Sequence, residues 1–107
     1  MNSRRKGAEG ERELANELRK LGYDAHRGVQ YKGGQDSPDV VGIDGFHIEC
    51  KRVEKLNIED AMKQSERDAG DNVPLVIHRK NREEWKVTMR LDDFIELIRG
   101  KDDTERS

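Results

Sequence analysis

The sequence contains a single cysteine, Cys50, few aromatic residues (5%) and no long hydrophobic run. One cysteine excludes an internal disulfide, and without an extended apolar run we expect neither a membrane helix nor a secretory leader. Basic residues are not in excess, since 21 Lys and Arg stand against 23 Asp and Glu. We therefore expect an intracellular protein with no membrane partner, whose net charge alone does not indicate nucleic-acid binding.

The charge is nevertheless uneven along the chain. The first 35 residues hold eight Lys and Arg against five Asp and Glu, so this end can form a local basic surface. A chain of 107 residues with 32% hydrophobic content is long enough for one modest core. We expect a single domain spanning residues 1–107.

Hydrophobic periodicity predicts eight elements in the order α-β-β-β-α-β-β-α. Ser3 is the expected N-cap of the first helix and Gly22 its stop, while Asn57 and Gly70 bound the second helix. This order predicts an α/β (α+β) fold with helices packed on a central mixed sheet. The predicted elements are a helix from Arg5 to Leu21, a strand from Tyr23 to Arg27, two strands within Ser37–Lys51, a helix from Ile58 to Ala69, strands at 72–79 and 83–90, and a helix from Asp92 to Arg99.

The stretch SPDVVGIDGFHIECK predicts a β-hairpin with two alternative registers. A two-residue turn would set Asp39 opposite Cys50, on the other face of the sheet from Glu49. A three-residue loop, Ile43–Gly45, would set Asp39 opposite Glu49, with Lys51 on the same face. The second register is favoured because it sorts every side chain by polarity. Its other face is apolar and suited to packing under a helix: Val40, Phe46, Ile48 and Cys50.

This register predicts a metal site. Opposed carboxylates about 5 Å apart can share one divalent cation, and Glu11 of the first helix can add a third oxygen ligand. Hard oxygen ligands favour Mg²⁺ or Mn²⁺ over zinc. Lys51 would orient the attacking water or stabilise negative charge at a phosphodiester. Cys50 faces the core, so only its backbone carbonyl is a candidate ligand.

The same residues resemble a known family. KGAEGERELANELRKLGYDAHR, SPDVVG and HIECK resemble the PD-(D/E)XK nuclease superfamily, in particular archaeal-type Holliday junction resolvases and their phage relatives. The match runs from Lys6 to Lys51 and places the motif residues on Glu11, Asp39, Glu49 and Lys51. It implies a restriction-endonuclease-like core and a magnesium-dependent homodimer that cuts four-way DNA without a small-molecule cofactor. Such an enzyme would act in the cytoplasm of a prokaryote or a phage-infected host.

Several further residues are candidates for DNA contact or for the site. The N-terminal Arg4, Arg5 and Lys6 form either a solvated terminus or a phosphate-binding arm. Glu11 is either a metal ligand or a partly exposed residue of the first helical turn, a position that the helix dipole favours for an acid. His47 shares the face of Glu49, although a solvated strand histidine is the favoured interpretation, and Gln64 either points into the cleft or is an ordinary boundary residue. The resemblance implies that Arg12, Arg27 and Ser37 also lie near DNA. The full set of candidate DNA contacts is Arg4, Arg5, Lys6, Arg12, Arg27, Lys32 and Ser37.

The leading functional hypothesis is a magnesium-dependent endonuclease that resolves four-way junctions. One alternative keeps the chemistry and changes the substrate to duplex, flap or other branched DNA. A second alternative is a non-catalytic module that binds DNA or a protein partner. Cleavage of a junction compared with plain duplex separates the first two, and DNA binding without cleavage would indicate the third.

Overall fold

The computed structural model describes residues 3–28 and 37–106, with side chains described in 7–28 and 37–100. The eight elements follow the predicted order, which is therefore confirmed. They are α1 (Ser3–Lys20), β1 (His26–Arg27), β2 (Val40–Val41), β3 (Phe46–Arg52), α2 (Ile58–Asp68), β4 (Val73–Arg79), β5 (Lys86–Met89) and α3 (Leu91–Arg106).

The strands form one five-stranded sheet in the order β1-β2-β3-β4-β5. β3 and β4 pair in parallel, and the other three pairs are antiparallel. The parallel pair requires a crossover connection, which α2 supplies. The predicted mixed sheet flanked by helices is confirmed.

The β2–β3 hairpin adopts the three-residue loop. Val40 pairs with Ile48, and Gly45 closes the loop with a φ of 86°, a conformation that glycine adopts without steric cost. The regular ladder ends at Val40, because the N–H of Asp39 also donates to Ile48, at 2.8 Å from its carbonyl oxygen. Asp39 therefore lies beside Glu49, within side-chain hydrogen-bond reach, rather than in a regular pair with it. The alternative with a two-residue turn is excluded.

The two faces of the sheet carry different helices. α1 packs on one face and α2 on the other. The polar residues His47, Glu49 and Ser65 are buried. Glu49 is the neighbour of Val76 across β3 and β4, so it faces α2 together with that core residue. The α1 core is Leu14, Ala15, Leu18, Ala25, Val40, Ile48, Leu75 and Ile77; the α2 core is Ala61, Met62 and Val76.

The end of α1 explains why β1 is shorter than predicted. Gly22 has a φ of 102°, its N–H donates to the carbonyl of Arg19, and the N–H of Tyr23 donates to that of Leu18. This pair of bonds is a Schellman cap. The cap engages Tyr23, so the predicted strand from Tyr23 to Arg27 is wrong in its first three residues. Leu21, the last residue of the predicted first helix, lies beyond α1 and is 73% exposed.

Of the other helix ends, the predicted start of α2 is confirmed, and the predicted N-cap of α1 and end of α3 are wrong. Asn57 caps α2 as predicted, since its Oδ1 accepts from the N–H of Asp60 at 3.1 Å. Ser3 lies inside α1 rather than preceding it, and α3 continues to Arg106 instead of ending at Arg99. None of the described helices is long and apolar enough to cross a membrane.

The C-terminal part of the sheet also differs from the prediction. β5 begins at Lys86 rather than Glu83 because residues 81–83 turn, with Arg82 at a φ of 63°. α3 then exposes several large apolar side chains: Leu91, Phe94, Leu97 and Ile98.

Candidate active site

Asp39 is held by backbone bonds on both sides. Its N–H donates to the carbonyl of Ile48 at 2.8 Å, and its carbonyl accepts from the N–H of Gly28 at 2.9 Å. A Cβ on Gly28 would lie 1.9 Å from the carbonyl oxygen of Pro38, so glycine is required for this close approach. The Oδ2 atom of Asp39 accepts from the N–H of Cys50 at 2.9 Å. These three hydrogen bonds fix both the backbone and the side-chain carboxylate of Asp39.

Glu49 lies beside Asp39 and is almost completely buried, with 2% of its surface exposed. Burial, then the charge and hydrogen bond of Asp39, raise the pKa of Glu49 to about 8. Two carboxyl groups in this position need a shared proton or a cation between them. Both groups supply the hard oxygen ligands that a divalent cation requires, so the pair fits a metal ion.

Lys51 and Gln64 meet next to this pair. Lys51 lies two residues beyond Glu49 on the same face of β3. Its Nζ donates to Oε1 of Gln64 in α2 at 3.4 Å, and both residues are half-buried. Gln64 therefore lies next to Lys51, and its role in the site stays a prediction.

Glu11 approaches Asp39 from α1, on the other face of the sheet. Its Oε2 accepts from Nε of Arg27 at 3.0 Å. Burial raises the pKa of Glu11, the bond to Arg27 opposes this effect, and the charge of Asp39 adds to it. Among the described residues, however, Glu11 does not join Asp39 and Glu49 in a set of three ligand atoms within 4.8 Å of one another. The predicted set of three carboxylates is not preassembled.

His47 is buried, which corrects the favoured interpretation of a solvated histidine. It is 2% exposed, and its Nε2 lies 2.9 Å from Oε1 of Glu49. Asp68, at the end of α2, brings its carboxylate to the same place. Asp68 is not among the predicted site residues, although it lies four residues after Gln64 and hence on the same helix face.

Cys50 contributes through its backbone alone. Its side chain packs against the α1 core, and burial, followed by the charge of Asp39, raises the pKa of the thiol to about 12. The thiol is therefore protonated at neutral pH and is not a nucleophile.

The candidate DNA contacts are only partly described. Arg12 is exposed, Ser37 is half-buried, and Arg27 pairs with Glu11. The backbone of Arg4, Arg5 and Lys6 belongs to α1, but their side chains lie outside the described residues, as does Lys32 entirely.

Comparison with known proteins identifies the family. The family model described as "Phage putative PDDEXK endonuclease" matches residues 2–106, so the chain belongs to this family of nucleases. It is similar to the 1.6 Å structure of Hjc, a Holliday junction resolvase from the archaeal hyperthermophile Archaeoglobus fulgidus. The two are 26% identical, with a TM-score of 0.57 over 78% of this chain and 72% of that one. A search of curated proteins gave no match. The resemblance to the PD-(D/E)XK superfamily, and its restriction-endonuclease-like fold, are confirmed.

Proposed function

We propose that this nuclease is a magnesium-dependent endonuclease that resolves four-way DNA junctions as a homodimer in the cytoplasm of a prokaryote or a phage-infected host. The observation that carries the proposal is the carboxyl group of Asp39 beside that of Glu49, with Lys51 two residues further along the same strand face. The junction as substrate is supported by the similarity to an archaeal resolvase. A two-fold dimer suits this substrate because it presents two equivalent sites to two equivalent strands.

In this proposal Asp39 and Glu49 hold the metal ion, with Glu11 and the carbonyl of Cys50 as further ligands. A bound Mg²⁺ supplies Lewis-acid polarisation of the phosphate and activation of a water molecule. The N–H of Cys50 orients the Asp39 carboxylate before the metal binds. This preorganisation reduces the reorganisation that the reaction requires.

Lys51 has a separate role. Its ammonium group stabilises the negative charge that develops on the phosphate, and Gln64 holds it on the site side of α2. Arg12, Arg27 and Ser37, together with Arg4, Arg5, Lys6 and Lys32, would contact DNA phosphates and position the strand. These contacts add affinity that depends on salt concentration.

The decisive experiment is cleavage of an end-labelled four-way junction and a matched linear duplex in Mg²⁺ or Mn²⁺. Asp39→Asn and Lys51→Ala are expected to lower the rate on the order of 10²-fold or more. Asp44→Asn is the matched control, because Asp44 is an exposed acid in the loop of the same hairpin. It should leave cleavage unchanged.

The outcomes separate the alternatives. Paired, symmetrical nicks in the junction and little cleavage of duplex would support the proposal. Equal cleavage of both substrates would indicate a structure-tolerant nuclease, and retained DNA binding without cleavage in either metal would indicate a binding module. Asymmetric cutting by a protein that elutes as a monomer from a sizing column would refute the homodimer.

A further inference from the structure

A second group of metal-ligating side chains lies under α2. One ring nitrogen of His47 and one carboxylate oxygen each from Glu49 and Asp68 all lie within 4.8 Å of one another. His47 precedes Glu49 by two residues on β3, whereas Lys51 follows it by two. Since alternate residues share a strand face, His47 lies on the opposite side of Glu49 from Lys51. The group therefore extends away from the catalytic lysine.

The geometry of this group suits a bound cation. Nε2 of His47 is 2.9 Å from Oε1 of Glu49, and adjacent ligands of an octahedral ion with bonds of about 2.1 Å are about 3 Å apart. Within residues 7–28 and 37–100, the Asp68 carboxylate has no hydrogen bond or ion pair. A cation would bring Asp68 inward and offset the repulsion between its carboxylate and that of Glu49.

The ligand types indicate which cation. Mg²⁺ prefers an all-oxygen environment and retains several waters. His47 offers nitrogen, and both His47 and Glu49 are 2% exposed, which leaves little space for coordinated water. One imidazole with two carboxylates is instead a ligand set for first-row transition metals.

We propose that His47, Glu49 and Asp68 form a second divalent-cation site that takes a transition metal such as Mn²⁺. Glu49 is also a ligand of the metal ion proposed at Asp39, so its carboxylate belongs to both metal sites. This second-site proposal depends on the proposed function in one respect only, namely that a metal ion binds at Asp39. A metal in the second site would fix the position of the Glu49 carboxylate for the first.

The test is a Mn²⁺ titration of the metal-free full chain, followed by electron paramagnetic resonance. The wild type should bind two ions per chain, and Asp39→Asn should retain one. Asp68→Asn should weaken one of the two sites by at least about tenfold. Asp71→Asn, an exposed acid three residues further on, is the matched control and should bind like wild type.

Electron spin-echo modulation then identifies the ligand. Mn²⁺ bound to Asp39→Asn should show coupling to the ¹⁴N nucleus of an imidazole, and His47→Gln should abolish this coupling. If His47→Gln does not fold, Asp68→Asn carries the test, because Asp68 is only half-buried and its substitution leaves the core intact. Circular dichroism verifies the fold of each variant.

The results also separate this proposal from the nuclease proposal. If the protein cleaves no DNA but its bound Mn²⁺ shows nitrogen coupling, the second-site proposal stands without the nuclease proposal. A protein that cleaves junctions but shows no nitrogen coupling, or whose Asp68→Asn variant binds both ions with unchanged affinity, overturns it.

Discussion

Replacing Glu49 by glutamine is expected to stabilise the metal-free protein at neutral and alkaline pH. Burial and the neighbouring Asp39 raise the pKa of Glu49 from 4.5 to about 8. Above pH 4.5 the unfolded chain releases this proton, while the folded chain retains it up to about pH 8. The folded state then binds more protons than the unfolded state, so stability falls as the pH rises through this interval. Glutamine has a similar shape and carries no such charge.

The magnitude follows from the size of the pKa change. Each pH unit between the two pKa values costs the wild type at most about 1.4 kcal/mol, so the upper limit for the whole interval is roughly 5 kcal/mol. A realised change of only about 1.5 kcal/mol would already separate the melting temperatures by roughly 6–12 °C in a domain of this size. The difference should be smallest near pH 4.5 and level off above pH 8.

The assay is urea unfolding of wild type and Glu49→Gln in EDTA between pH 5 and 9, followed by the fluorescence of Trp85. Comparing the two proteins removes the contribution of other titrating groups. Adding Mg²⁺ or Mn²⁺ should reduce the difference, because these ions bind the ionised form of Glu49. Parallel stability curves in EDTA over the whole range would refute the reasoning, since Glu49 would then be ionised in the folded state throughout.

Two further substitutions test the packing of α1 and the support of Lys51. Gly10→Ala should destabilise the protein by about 1–3 kcal/mol, because the added Cβ would lie 2.7 Å from Cβ of Arg52. Gly7→Ala in the same helix has open space and should stabilise it by up to about 1 kcal/mol, and equal effects in urea unfolding would contradict this account. Gln64→Ala should lower the cleavage rate roughly tenfold, because Lys51 loses its partner. Metal affinity measured by calorimetry should not change, and an unaltered rate would show that Gln64 does not position Lys51.

The arrangement of Asp39 and Glu49 could be predicted because the hairpin permits few solutions. Strand side chains alternate strictly, so only one loop length places the apolar residues on one face and the charged ones on the other. Gly45 lies where a three-residue loop needs a positive φ. The N-cap at Asn57 was predictable for a similar reason, since the short side chain satisfies a free N–H of the first helical turn.

The surroundings of Glu49 were less predictable from the sequence than the hairpin. Whether His47 is buried depends on where α2 lies over the sheet, and this position is set by packing between Val76 and the apolar residues of the helix rather than by local sequence. The spacing of Asp68 from Gln64 places both residues on one helix face. Carboxylates are common on solvated helix faces, so this spacing alone does not identify a site residue. The pairing of Glu11 with Arg27 joins residues that are distant in sequence, and no periodicity connects them.

The length of the hairpin loop also constrains how this protein can change during evolution. Asp44 is exposed, so substitutions there should accumulate with little selective cost. Insertion or deletion of one residue between Ile43 and Gly45 would instead turn one strand over. A single codon would then separate Asp39 from Glu49 and direct a charged side chain into the α1 core. Natural relatives are therefore expected to differ in the composition of this loop far more readily than in its length.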